Sequence, residues 1–314
     1  MTILVVGDAN ADASATLSRF PSEGDDSSIN MLQWSSGGSA ANVATALALL
    51  GHPVRLIARV GTDPAAEIAL RAAHTVGVDC SAIQHDIDTV TGQCFVAISP
   101  NGERTFLSFR GANNELASID KSTLPDDWQW LHIAGHALLE GQQRNTTWQL
   151  IEHAQQRQIP ISLDLCLPLI HSHSDDIHTL IPHLQILFAN KPELFTLFAH
   201  LSEELAPTFF STTNNPSINH LLIALKLGAD GCHIMSQQDQ LVLPTITVQA
   251  VDTTGCGDAF VAGFLDRYLN HSSWSDCAVY ANALGTLTAM RYGSGEALPS
   301  RIQIQTFIDT YNQG

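Results

Sequence analysis

The chain has 314 residues, 45% of them hydrophobic and 14% charged, with 14 basic against 31 acidic side chains and a formal net charge of −17. That length buries a sizeable core without staples, and the acidic balance argues against nucleic acid and anionic membranes, both of which call for basic patches. Six scattered cysteines with no Cys-x-x-Cys pair, an N-terminus without signal-peptide features and the lack of any apolar run near 20 residues point to a cytoplasmic protein with small-molecule partners.

In chain order, short β-branched runs alternate with longer helical patterns. A strand is predicted at 3–7, then a helix at 39–50 with Ser39 near its N-cap and Gly51 as its stop, strand 54–60 and helix 64–76. Strand 130–134, helix 143–157, strands 159–165 and 185–189, a helix from about 191, strand 219–225 and a short strand 231–235 follow. Helices at 257–270, 274–291 and 300–311 close the chain. This rhythm predicts an α/β fold with a doubly wound, mainly parallel sheet covered on both faces. Residues 10–36 and 88–110 break it with polar-apolar alternation, as in Gln93 to Ile98 and Arg104 to Phe109, and are read as strands outside the main sheet. With no internal repeat or linker, a single domain over 1–314 carrying this discontinuous second sheet is expected.

Chemistry concentrates near the C-terminal end, in Asp252-Thr253-Thr254-Gly255-Cys256-Gly257-Asp258-Ala259-Phe260. Glycines let backbone amides converge, and the helix beginning at once adds partial positive charge, so the stretch is a seat for an anion with a carboxylate beside it. Lys121, Lys191 and Lys226 are the only lysines and none follows a glycine, which excludes a Walker A loop; the protein-kinase His-Arg-Asp signature is missing too. Gly37-Gly38-Ser39-Ala40-Ala41-Asn42 places a glycine pair and a versatile amide at a helix start. Asp12 follows the first strand, beyond the carboxyl end where ligands of open sheets bind. Asn190-Lys191-Pro192-Glu193 reads as a good helix start. The stretch His171-Ser172-His173 with Asp175, Asp176, His178 and His183 has metal-ligand residue types without a recognised spacing. Cys256, at a helix N-terminus, is expected to have a lowered pKa.

The segment Asp252 to Phe260 resembles the second signature of the ribokinase/PfkB family of carbohydrate kinases, Asp-Thr-x-Gly-Ala-Gly-Asp-x-Phe, with Cys256 at the usual Ala position. Gly37 to Asn42 is similar to the first signature and Asn190 to Glu193 to the family's Asn-x-x-Glu. The resemblance implies a ribokinase-like fold whose small β-sheet is a lid over the sugar and often a dimer surface. It implies Asp258 as base and Gly255, Cys256 and Gly257 as the anion hole. Asp12, Gly37, Gly38 and Asn42 would meet the sugar, with Asn113 and Glu140 as further candidates and Arg110 nearby. Asn190, Glu193, Lys226, Gly228, Gly231 and Asn282 would meet ATP, with Glu193 reaching Mg²⁺ through water. Asp252, Thr254 and Ser294 would belong to a monovalent-cation site for K⁺. The implied activity is ATP-dependent phosphorylation of a hydroxymethyl group on a small ribose- or fructose-like sugar; an adenosine-like nucleoside kinase of the same fold and a catalytically silent sensor stay open beside it.

Overall fold

The computed structural model describes residues 2–100, 104–198, 220–293, 295–296 and 298–311. Its strand β1 (Thr2–Val6) sends Ile3 and Val5 into one apolar layer and Leu4 and Val6 into the other, all four buried. Burial on both faces is why this strand reads as continuous apolar sequence. The chain then makes β2 (Asn10–Leu17), β3 (Ile29–Gly37), α1 (Ser39–Leu49), β4 (Val54–Ile57), β5 (Arg59–Gly61), α2 (Pro64–Val76), β6 (Gln84–Asp86), β7 (Gly92–Ile98) and β8 (Arg104–Phe109). Next come β9 (Trp128–Ala134), α3 (Gly141–Gln156), β10 (Ile161–Asp164), α4 (Leu167–Leu180), β11 (Ile186–Asn190), α5 (Lys191–Leu197), β12 (Leu222–Lys226), β13 (Cys232–Met235) and β14 (Gln240–Leu243). The helices α6 (Cys256–Leu269), α7 (Trp274–Ala289) and α8 (Arg301–Tyr311) follow.

The main sheet has the order β14-β13-β12-β11-β10-β9-β1-β4, parallel except where β13 and β14 run antiparallel. Helices α1, α2, α6, α7 and α8 cover one face and α3, α4 and α5 the other. Phe188 of β11 meets Phe264 of α6 edge-on with ring centroids 5.6 Å apart, both fully buried. Truncating a core aromatic of this kind costs about 3–5 kcal/mol. Strand order reverses between β1 and β9, since β4 lies to one side and β10 to β12 to the other. Such a switch point opens a crevice at the carboxyl ends of the strands.

A second sheet, β3-β2-β7-β8, stands over that crevice as the lid. Its register puts Ser35, Asp12, Cys94 and Ser108 in one row, so Asp12, Val96 and Phe106 share a face. The opposite face carries Trp34, Leu32, Phe95, Leu107 and Phe109.

Three local expectations change. The run 54–60 is two strands, because Arg59 turns toward Asp86 at 2.7 Å and pairs β5 with β6 instead of continuing β4. Strand β14, which extends the main sheet, has no counterpart among the expected elements. The polar stretch around His171 is helix α4, which bends where His173 leaves helical geometry and its ring Nε2 meets the Leu139 carbonyl at 2.7 Å. Asp176 pairs with Arg144, and among the described residues no three His, Cys, Asp or Glu side chains assemble a metal site.

Candidate active site

The sugar-side half begins with a crowded backbone. Gly38 has φ +89°, and a Cβ there would lie 2.4 Å from the Asp8 carbonyl; a Cβ on Gly37 would overlap the Asp12 carboxylate. Glycine is therefore required for α1 to start against the end of β1 and beside β2. Ser39 does not cap its helix. Its Oγ donates to Asp258 Oδ1 at 2.7 Å, and Asn42 Nδ2, one turn on, donates to Asp258 Oδ2 at 2.8 Å. Helix α1 thus fixes the Asp258 carboxylate, which sits in the first turn of α6. Burial pushes the Asp258 carboxyl above the ordinary range, and the bonds from Asn42 and Ser39 pull back against it.

Asp12 faces the same space from the lid. It is 6% exposed, and burial, reinforced by Asp258, Glu296 and Asp252, raises its carboxyl to about 7. Its Oδ1 and the Oδ1 of Asn42 are buried acceptors with no hydrogen-bond partner among the described residues. Buried acceptors of this kind cost stability unless a donor arrives, and a ligand with several hydroxyls supplies donors. The amide of Asn113 is occupied within the protein. Its Oδ1 accepts from Ala9 N at 3.0 Å, and its Nδ2 donates to Asn10 Oδ1 and the Arg110 carbonyl. It stitches the segment leading into β2 to the end of the lid and so positions Asp12. Arg110 lies against Asp8 at 2.8 Å with Gln143 beside it. Glu140 is exposed and accepts from Asn114 Nδ2 at 3.2 Å.

On the other side of the α6 N-terminus lies a cavity of about 420 Å³, lined by Lys226, Val248, Phe260, Asn282 and Ala289 among others. Gly228 and Gly231 edge it from the turn after β12, and Asn282 Nδ2 donates to the Leu243 carbonyl at 3.3 Å. Its walls are mainly apolar, which suits a flat ring system. Asn190, on the cavity wall, forms a reciprocal capping box with Glu193: Glu193 N to Asn190 Oδ1 at 2.9 Å and Asn190 N to Glu193 Oε2 at 2.8 Å. Lys226 Nζ lies 2.5 Å from Asp164 Oδ1, and a Cβ on Gly257 would sit 3.5 Å from that nitrogen. Burial disfavours the charge on Lys226, but Asp164 and then Glu193 outweigh it and hold its pKa above the usual value. The ammonium therefore stays charged beside the anion loop. Sequence reasoning misses Asp164, whose one signal is an acidic residue ending an apolar strand.

Gly255, at φ +76°, is the left-handed N-cap from which α6 starts. Cys256 N donates to the Thr253 carbonyl at 3.3 Å, so of the three amides expected to meet the anion this one already closes the turn. The lowered pKa expected for Cys256 is overturned: burial pushes its thiol up to about 12, with Arg104 opposing and Asp252 and Asp258 reinforcing the rise. The helix terminus loses to desolvation and to two neighbouring acids. Asp252, expected to serve a monovalent cation with Thr254, is paired with Arg104 of β8 at 2.9 Å. Ser294, the third member of that expected site, lies outside the described residues.

Buried Asp12 and half-buried Asp258 face one space, with a second pocket behind the start of α6, and the profile of pfkB family carbohydrate kinases matches residues 2–301. The chain belongs to this family. It is a carbohydrate kinase with an alcohol group as acceptor. An ATP-dependent ribose-1-phosphate kinase of Halopiger xanaduensis is 30% identical over 306 residues, covering 98% of this chain and 97% of the relative. Arabidopsis thaliana ribokinase, solved with ribose and ATP, superposes with a TM-score of 0.82 at 23% identity, covering 98% of each chain. A Vibrio cholerae fructokinase double mutant, solved with fructose, ADP and a potassium ion, gives 0.78 at 23% identity and the same coverage. The fold and the family chemistry are shared; the acceptor differs among these relatives.

Proposed function

We propose that this kinase transfers the γ-phosphoryl group of ATP to a hydroxymethyl group of a small ribose- or fructose-like sugar. The observation that carries this reading is the pair of partnerless buried acceptors, Asp12 Oδ1 and Asn42 Oδ1, beside the Asp258 carboxylate. Sugar hydroxyls donate to the first two, and the hydroxyl to be phosphorylated gives its proton to Asp258. The first turn of α6 and Lys226 meet charge on the transferred group, so catalysis is chiefly positioning and electrostatics. The lid over the crevice excludes the water that would compete as acceptor.

Hard oxygen ligands at Asp164, Glu193 and Asn190 fit a magnesium ion that keeps most of its water shell. Bound there with ATP, magnesium supplies positive charge to the phosphates. Arg104 and Arg110, which bracket β8, are each paired with an acid, which disfavours an acceptor that already carries a phosphate. A nucleoside acceptor has one feature in its favour: Val96 and Phe106 share the lid face of Asp12 and would flank a base.

The test is a coupled ADP-release assay with magnesium and ATP across pentoses, hexoses, a sugar 1-phosphate and nucleosides. We expect one small sugar to give the highest kcat/KM. No turnover of any acceptor by folded protein overturns the reading, and a preferred nucleoside or sugar phosphate replaces the acceptor.

The opposite lid face supports a second proposal, a homodimer formed lid to lid. Trp34, Leu32, Leu107 and Phe109 are exposed together there, and apolar side chains grouped in this way mark interaction surfaces. Sedimentation should show a dimer that Leu107→Asp converts to monomer; a monomeric wild type excludes it.

A further inference from the structure

The Asp252 carboxylate is 2% exposed, and both of its oxygens accept hydrogen bonds. Its Oδ1 accepts from Arg104 Nη1 at 2.9 Å, from Thr254 N at 2.9 Å and from Thr254 Oγ1 at 2.7 Å; its Oδ2 accepts from Gly293 N at 3.0 Å. A carboxylate offers about four lone-pair positions, two on each oxygen, so three donors crowd Oδ1 while Oδ2 keeps one position beside the Gly293 amide. Thr254 Oγ1, having donated to Asp252, accepts from Arg104 Nη1 at 3.2 Å, while Nη2 of the same guanidinium reaches Thr253 Oγ1. The guanidinium already holds Asp252 Oδ1 and Thr254 Oγ1, two oxygens that a monovalent cation would draw on here. A buried carboxylate needs one compensating charge, and a second cation beside the first meets repulsion that a water-poor site screens weakly.

We propose that Arg104 takes the place of a monovalent cation at Asp252, so that the anion loop of this chain is ordered without potassium. The countercharge comes from the lid itself. Arg104 is the first residue of β8 and pairs with Ile98, in the same face of the lid sheet as Asp12. One position of the lid therefore presents Asp12 to the sugar and neutralises Asp252 under the start of α6. A lid displaced from that position leaves a buried carboxylate bare, which ties the order of the anion loop to closure. Arg104 is in this sense a positioning residue, acting on the transferred group through the loop it holds.

The proposal rests on the kinase reading only for its activity readout. Wild type, Arg104→Met and Arg104→Lys are compared in KCl and NaCl at equal ionic strength, by melting temperature and by sugar-dependent ADP release. Wild-type turnover should agree between the two salts within about twofold, with no potassium-specific rise in melting temperature, because Arg104 already supplies the countercharge at Asp252. Arg104→Met should lose about tenfold in NaCl, recover several-fold in KCl, and melt higher in KCl alone. Arg104→Lys keeps a charge and should be indifferent to the salt. Wild type that KCl activates about tenfold, with a matching rise in melting temperature, overturns the proposal. So does an Arg104→Met loss that KCl does not repair. If Arg104→Met does not fold, wild type and Arg104→Lys decide by the same criteria. Failure to phosphorylate any sugar would sink the kinase reading, while the melting comparison still decides this one.

Discussion

On the side proposed for the sugar, Asp12, Asn42 and Asp258 are polar groups held in place by contacts between distant segments, with 216 residues separating Asn42 from Asp258. On the nucleotide side, the walls are apolar side chains such as Val248, Phe260 and Ala289, together with backbone at Gly228 and Gly231. The first half recognises by unpaired acceptors, where each atom matters because a lost partner leaves another buried group bare. The second recognises by shape and contact area, spread over many atoms. Substitutions should therefore be costly in the first and mild in the second, and that contrast can be broken.

Asp258 aside, the largest loss is expected at Asp12. Asp12→Ala should lower kcat/KM for the sugar by about 10- to 100-fold, as for a charge-assisted hydrogen bond, with KM for ATP unmoved. An equal rise in both KM values would erase the distinction between the halves. The same residue has a pH signature. Its carboxyl lies at about 7 in the fold against about 3.9 in an unfolded chain. The folded protein therefore keeps a proton that the unfolded chain has released, and the stability this contributes is full below about pH 4 and lost as pH rises through about 7. Sugar kcat/KM should move the other way, rising through about pH 7 as Asp12 becomes an acceptor. Melting temperature against pH for wild type and Asp12→Asn checks the first part; the variant should lack that slope. The smallest effect is expected at Asn282, whose amide donates to the Leu243 and Pro244 carbonyls at the cavity edge. Asn282→Ala should raise KM for ATP about threefold; a loss as deep as that at Asp12 would show that the nucleotide half also depends on single polar atoms.

What could be read from the sequence was what short segments determine. Gly37-Gly38 and Gly255 to Asp258 declare themselves because a close approach and an anion loop require those residues within a few positions. Helix α2 is legible end to end for the same reason, with Asp63 accepting from Ala65 N at 2.9 Å and Gly77 in the left-handed region. The roles of Asp164 and Arg104 were hidden, as was the pairing of Lys226 with Asp164, because they arise from strands that meet only in the folded sheets. Helix α4 was hidden by composition, since Ser, His and Asp in its middle blur the apolar period. Cys256 shows a local rule losing to its surroundings: a helix N-terminus favours the thiolate, and burial with two nearby acids reverses that. Asn190 shows the opposite case, in which capping geometry and a place on the cavity wall coincide.

The most direct test of the account is the turnover of Asp258→Asn, measured with magnesium, ATP and the preferred sugar. The amide keeps the shape of the carboxylate and can still bond to Ser39 and Asn42, but it cannot take the hydroxyl proton. We expect kcat to fall by about 10²- to 10⁴-fold, the range of a lost general base, with both KM values within a few-fold of wild type and little change in melting temperature. A variant that retains kcat within about tenfold would contradict the assignment of Asp258 as the base, and with it the chemistry proposed for this site.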